Sequence, residues 1–368
     1  MDDQIVPILM PKWGLSMSEG TLASWHVDEG TEIATGDEIM DVETDKIANV
    51  VEAADGGLLR RKVAVAGEIY PVRALLGVMA PASVPDADID AYIASFEVPE
   101  IDEDEDVGPA FEFVDLNGTK IRYVEKSGEG VPFLLIHGFG GDLDNWLFNI
   151  DAISASAPVF ALDLPGHGQS SKSMADPSLA KLADSVLFFM DQLKIQQAHM
   201  VGHSMGGQIV GQIIATNPDR VKSGTLICSA GLGEEINSSE YIDNFVAASN
   251  RKELKSALKL LFADENMVSR AMVDDVLKYK RLDGVDAFLT KLNANLFDSG
   301  KQRQNMISHL EASDCPLVVI WGAEDSVIPK SHADALSNAA VTVIEGAGHM
   351  VQMEESATVN DLILSQLR

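Results

Sequence analysis

The chain has 368 residues, 46% of them hydrophobic, with 57 acidic against 27 basic side chains and a formal charge of −30. That length suits two or three domains, and that apolar content suits packed cores rather than a disordered coil. A field of this sign repels nucleic acid and anionic membrane, which excludes both as expected partners. Two cysteines, Cys228 and Cys315, make a disulfide framework improbable and fit a reducing compartment. Residues 1–20 lack the basic start and apolar stretch of a secretion signal, and no apolar run approaches the roughly 18 residues of a membrane span. A cytoplasmic protein is expected.

Residues 1–80 contain a faint internal repeat. Gly30-Thr31-Glu32-Ile33 followed by Glu38-Ile39-Met40-Asp41-Val42 is echoed by Gly67-Glu68-Ile69 followed by Ala74-Leu75-Leu76-Gly77-Val78. Short apolar runs punctuated by Gly, Asp and Glu predict two similar sets of short strands facing each other across one core. Between the two halves lies Asp41-Val42-Glu43-Thr44-Asp45-Lys46-Ile47. Lys46 falls where a strand pair should turn, so its amine is expected at an exposed tip.

Residues 81–110 change character. From Asp86 to Asp106 there are ten acids and no base, flanked by Pro81, Pro85, Pro99 and Pro109. Like charges extend a chain and proline blocks regular structure, so the segment reads as an acidic tether, with room for one short helix over 87–96.

Residues 111–368 have another rhythm. Phe111–Leu116 and Ile121–Lys126 alternate around Asn117-Gly118, a strong hairpin turn. Continuous apolar runs follow at Phe133–Ile136, Val159–Leu162, His199–Val201, Thr225–Cys228, Leu317–Trp321 and Val341–Ile344. Strands covered by helices on both faces read this way. Helix-like segments such as Ser178–Leu193 lie between most of them, predicting a doubly wound α/β sheet. A mostly helical insert at about 234–312 interrupts the alternation.

Gly202-His203-Ser204-Met205-Gly206 fits G-x-S-x-G, after an apolar strand and before a helix-like stretch. That context makes Ser204 a candidate nucleophile on a sharp turn. A serine hydroxyl needs a base. His349, in Gly346-Ala347-Gly348-His349, and Asp325, in Gly322-Ala323-Glu324-Asp325, each follow a predicted strand, and Glu324 is a rival acid. His349 would take the Ser204 proton and Asp325 would fix its tautomer. The oxyanion donors are expected to be the backbone amides of Met205 and of Phe139, in His137-Gly138-Phe139-Gly140-Gly141. No metal-ligand spacing is present, so no metal is expected. Between Arg251 and Arg303 there are eleven bases against eight acids. Lys278, Lys280 and Arg281 there are candidates for holding phosphates, against the alternative of solvated helix faces.

Three resemblances follow from these residues. The segment around Lys46, with Met10-Pro11-Lys12-Trp13-Gly14 upstream, resembles the lipoyl domains of 2-oxo-acid-type dehydrogenase complexes. Biotin carriers share that fold but place their lysine between methionines. The order Ser204, Asp325, His349 is that of α/β-hydrolases. The fusion resembles the dihydrolipoyl acyltransferase components of acetoin dehydrogenase complexes. It implies a flattened lipoyl-type barrel (1–80), a tether (81–110) and an α/β-hydrolase fold with a helical cap (111–368). It also implies lipoate on Lys46, coenzyme A as co-substrate and acetyl transfer between them. The expected partners are a thiamine-diphosphate-dependent dehydrogenase component and a dihydrolipoyl dehydrogenase, and a homo-oligomeric core stays open. The His-x-x-x-Asp-Gly motif of commoner acyltransferase components is absent from the C-terminal stretch Val359–Ser365. Two alternatives remain open: a carrier-fed thioesterase or carboxylesterase, and a non-catalytic lipoyl carrier and scaffold.

Overall fold

The computed structural model describes residues 5–11, 17, 19–44, 48–98, 111–172, 174–237, 240–298 and 300–367. They form two compact units, taken in turn.

The N-terminal unit contains β1 (Val6–Leu9), β2 (Glu19–Trp25), β3 (Glu32–Ile33), β4 (Glu38–Glu43), β5 (Ala48–Glu52), β6 (Gly57–Lys62), β7 (Ile69–Pro71) and β8 (Leu75–Met79). They make two four-stranded sheets, ordered β1-β8-β6-β3 and β5-β4-β2-β7. The two copies of the repeat land on opposite sheets: β4 lies in one and its echo β8 in the other, while β3 and β7 cross the opposite way. Leu22, Ile33, Ile39, Met40, Val42, Leu59 and Leu76 fill the single core between them. A 36-residue repeat that exchanges strands in this way buries both apolar faces at once. Neither half has a face to pack against alone.

The acidic segment does not begin as a free chain. Helix α1 (Asp86–Ser95) buries Ile89 against Leu75, Val78 and Val84. Arg60 pairs with Asp86 at 2.6 Å and Arg61 with Asp90 at 3.2 Å. Helix α1 is the short helix for which the sequence left room over 87–96, and it packs on the N-terminal fold. Residues 99–110 lie outside the described residues.

In the C-terminal unit, β9 (Glu112–Leu116) and β10 (Thr119–Lys126) form the expected hairpin. Asn117 and Gly118 both take positive φ, 54° and 90°, as a two-residue hairpin turn that follows the strand twist requires. Then come β11 (Phe133–Ile136), β12 (Val159–Leu162), β13 (Ala198–His203), β14 (Val221–Ile227), the small hairpin of β15 (Phe297–Asp298) and β16 (Lys301–Gln302), β17 (Leu317–Gly322) and β18 (Ala339–Ile344). The main sheet runs β18-β17-β14-β13-β11-β12-β10-β9. Its β18-to-β12 part is parallel throughout, and β10 and β9 add antiparallel strands at one edge.

Helices α2 (Ile150–Ser154), α3 (Leu179–Gln192) and α4 (Met205–Thr216) connect the early strands. The Ser178 hydroxyl caps α3 by accepting from the Lys181 amide. The insert holds α5 (Glu240–Ala247), α6 (Arg251–Lys259), α7 (Arg270–Lys280) and α8 (Val285–Leu296), and α9 (Ile307–Glu311) returns the chain to β17. α10 (Val351–Glu354) and α11 (Ser356–Leu364) close the fold. No helix among the described residues is long and apolar enough to cross a membrane.

Candidate active site

Ser204, Asp325 and His349 all sit past the C-terminal ends of parallel strands, where such sheets place their sites. Ser204 follows β13 and caps α4 with φ 54° and ψ −117°, a strained conformation for a residue with a side chain. The surrounding glycines make the turn sterically feasible. A Cβ on Gly202 would lie 2.3 Å from the Gly206 carbonyl oxygen, and one on Gly206 would lie 2.1 Å from the Ile136 oxygen. The pentapeptide is thus a packing requirement that lifts Ser204 off the sheet.

His349 Nδ1 and Asp325 Oδ2 are 2.8 Å apart, in a pair almost fully sealed from solvent. The other Asp325 oxygen accepts the Val327 and Ile328 amides at 2.8 and 2.9 Å. Asn237 Nδ2 donates to the Asp325 carbonyl at 2.7 Å. Glu324, the rival acid, is exposed. His203 Nε2 lies 2.8 Å from the His349 carbonyl, and the two rings are 4.8 Å apart. A carbonyl only accepts, so that His203 nitrogen carries the proton. Burial holds the His203 ring neutral, well below its usual pKa. The residue before Ser204 therefore ties the serine turn to the histidine loop.

The loop after β11 lies against Ser204. A Cβ on Gly138 would sit 3.1 Å from Ser204 Cβ. His137 Nε2 accepts the Leu164 amide at 3.0 Å, so its Nδ1–H donates to the Gly138 carbonyl at 2.8 Å. Burial lowers the His137 pKa to about 4, which preserves this pattern at neutral pH. Asp163, paired with the buried Arg122 at 2.7 Å, accepts the Leu143 amide and steadies the far end of the loop. Phe139 and Met205, the expected oxyanion donors, are both buried here. Met205 opens α4, where the first amides have no intrahelical acceptor.

The insert covers this loop. Phe245 of α5 stacks directly on Gly140, where a Cβ would meet its ring at 2.5 Å. The Tyr241 hydroxyl points at the Phe139 carbonyl, 3.5 Å away. Cap side chains thus close over the loop after β11, and His349 is 1% exposed.

The three basic candidates of α7 and its end are not gathered. Lys278 and Arg281 are exposed. Lys280 is buried, its ammonium donating to the Val246 carbonyl at 3.1 Å and to Asp286 at 3.3 Å. It lies 5.3 Å from the Phe245 ring centroid. Lys280 is a pillar of the cap, whereas Lys278, paired with Asp275 at 2.8 Å, and Arg281 stand at the surface.

Among the described residues, one group could hold a metal by proximity: Cys228, Asp325 and His349, with donor atoms within 4.8 Å of one another. The His349–Asp325 hydrogen bond uses two of these donors, and burial pushes the Cys228 thiol well up, keeping it protonated.

Lys46 lies outside the described residues, as do Asp45 and Ile47. The flanking strands are described: β4 and β5 pair antiparallel with Glu43 opposite Ala48. The connection between them is therefore residues 44–47, the hairpin position in which the sequence places the lysine. The primary amine of Lys46 is the kind of group to which a lipoyl carboxyl can be joined as an amide.

Known proteins place both units. Residues 131–356 match the family model described as alpha/beta hydrolase fold, and residues 6–69 match that described as biotin-requiring enzyme. A meta-cleavage product hydrolase from Pseudomonas fluorescens superposes with a TM-score of 0.62 at 22% identity, over 70% of this chain and 97% of that one. This likeness establishes the fold. A dihydrolipoyllysine-residue acetyltransferase component of the acetoin cleaving system from Cupriavidus necator is 52% identical over 99% of this chain and 97% of its own length. Its namesake from Pseudomonas putida is 47% identical over 99% of each. The chain is an acyltransferase with an α/β-hydrolase-type domain, and it belongs to the family of dihydrolipoyllysine-residue acetyltransferase components of acetoin cleaving systems.

Proposed function

We propose that the protein moves an acetyl group from a lipoyl thioester to coenzyme A through Ser204, His349 and Asp325, in the breakdown of acetoin. Lipoate on Lys46 would carry the acetyl group as a thioester between active sites, and residues 99–110 would tether the carrier. Ser204 Oγ attacks the acetyl carbonyl while His349 takes its proton. The Met205 and Phe139 amides receive the oxyanion. His349 returns the proton to the departing lipoyl sulfur, leaving an acetyl-serine. The coenzyme A thiol, deprotonated by His349, then takes the acetyl group and frees the serine. Lys278 and Arg281 would meet the coenzyme A phosphates. A thiamine-diphosphate-dependent dehydrogenase component would load the arm, and a dihydrolipoyl dehydrogenase would reoxidise it.

One observation carries the reading. A chain whose residues 6–69 match the biotin-requiring enzyme family model also holds a sealed Asp325–His349 pair, bonded through His203 to the turn bearing Ser204. The test runs coenzyme A with S-acetyl-dihydrolipoamide and counts acetyl-coenzyme A and free acetate, for the wild type and Ser204→Ala. Serine-dependent acetyl-coenzyme A supports the transferase. Serine-dependent acetate alone would make the protein a carrier-fed thioesterase. Turnover untouched by the substitution would leave a carrier and scaffold.

A further inference from the structure

Transferase and hydrolase chemistry on a serine differ in what reaches the acyl-enzyme. The coenzyme A thiol yields a thioester and free Ser204, whereas water yields acetate and free Ser204. The contacts that hold the cap down therefore matter as much as the triad.

One side chain joins the cap to the histidine loop. Glu354, in α10, accepts the Ala263 amide on Oε1 at 2.7 Å and the Gly348 amide on Oε2 at 2.8 Å. Ala263 belongs to the segment by which the chain leaves α6 of the cap, and Gly348 directly precedes His349. The same seam is closed by the Met350 amide, which donates to the Leu261 carbonyl at 3.0 Å. Packing there is tight: a Cβ on Gly348 would lie 2.6 Å from the Ala263 nitrogen and 2.9 Å from the Phe262 carbonyl carbon. Two amides on one half-buried carboxylate are charge-assisted bonds, roughly twice as strong as neutral ones. Neither bond is made to Asp325 or His349 themselves: Glu354 acts on His349 through the Gly348 backbone and through the charge of its carboxylate.

We propose that Glu354 is a positioning residue that clamps the cap to the histidine loop and thereby sets how the acetyl-serine divides between coenzyme A and water. The proposal rests on the transferase reading above. Glu354→Gln keeps the shape but turns an NH2 group toward one of the two amides, so one bond is lost. Glu354→Ala removes both.

The experiment uses the full lipoylated chain with S-acetyl-dihydrolipoamide and coenzyme A. It reads the acetate to acetyl-coenzyme A ratio and, separately, hydrogen exchange at the Ala263 and Gly348 amides. The glutamine variant is expected to raise the ratio about tenfold, as loss of one charge-assisted hydrogen bond implies, and to speed exchange at both amides. The alanine variant is expected to exceed it. A wild-type ratio with both products falling in step would mark a structural role only and overturn the proposal. Unchanged exchange would overturn it as well. No acetyl-coenzyme A from the wild type would instead defeat the transferase reading, and the exchange measurement would still decide whether the clamp exists.

Discussion

The Asp325 carboxylate divides its two oxygens between jobs: Oδ2 faces His349 Nδ1 at 2.8 Å, and Oδ1 holds the Val327 and Ile328 amides. The first bond sets the histidine tautomer, and the other two fix the carboxylate that makes it. Asp325→Asn keeps the shape but offers an NH2 group to a ring nitrogen that must donate. A fall of about 10⁴ in kcat is expected, since the wrong tautomer then faces Ser204. Rates with S-acetyl-dihydrolipoamide, beside an unchanged circular dichroism spectrum, check this.

The serine turn depends on two absent side chains. Gly206→Ala would place a methyl 2.1 Å from the Ile136 oxygen, a backbone atom that cannot rotate away. Destabilisation of at least about 1–3 kcal/mol is expected, together with loss of turnover. Urea unfolding of the two proteins measures the first and the transfer assay the second.

Coenzyme A binding separates the three lysine and arginine candidates. The double substitution Lys278→Ala with Arg281→Ala is expected to raise the coenzyme A KM several-fold with kcat unchanged. An unaltered KM would remove the phosphates from this face. Lys280→Ala should instead lower the melting temperature, because it leaves Asp286 and the Val246 carbonyl without the buried ammonium.

Stability should fall in mild acid. An unfolded histidine binds its proton near pH 6.5, whereas burial drops folded His137 to about 4 and holds His167 and His203 well below their usual range. The unfolded chain then carries more protons between these limits. The stability these groups contribute is complete above about pH 6.5 and is lost as the pH falls toward about 4. Urea midpoints should drop between about pH 7.5 and about pH 5. A His137→Gln variant, less stable at the higher pH, should show a shallower fall.

Attachment is tested by mass. Lys46→Arg is expected to abolish lipoylation of the chain while leaving Ser204-dependent transfer from free S-acetyl-dihydrolipoamide intact. A lipoyl mass on the arginine variant would place the arm elsewhere.

Much of this architecture was legible in the residues alone. The strand runs of the C-terminal unit could be read because a parallel strand buried on both faces must be apolar along its whole length. The Asn117-Gly118 turn and the Gly202–Gly206 motif were readable because only certain residues tolerate those backbone angles. The order of Ser204, Asp325 and His349 was legible because each follows a strand end. The repeat announced two sheets because equal halves must bury equal faces. Contacts made across long sequence distances needed the folded chain. Asp325 and its rival Glu324 both follow the same strand, and burial of one with exposure of its neighbour is a property of the loop. Acidic residues 86 and 90 suggested repulsion, yet Arg60 and Arg61 neutralise them and α1 packs down. Lys280 has the same sequence signature as its exposed neighbours, and only the folded cap brings the Val246 carbonyl, Asp286 and the Phe245 ring to its ammonium. Glu354 gave no signal at all, because its partners, Ala263 and Gly348, are backbone amides that any residue could supply. Local pattern records what a residue must be, whereas tertiary structure decides which distant group it meets.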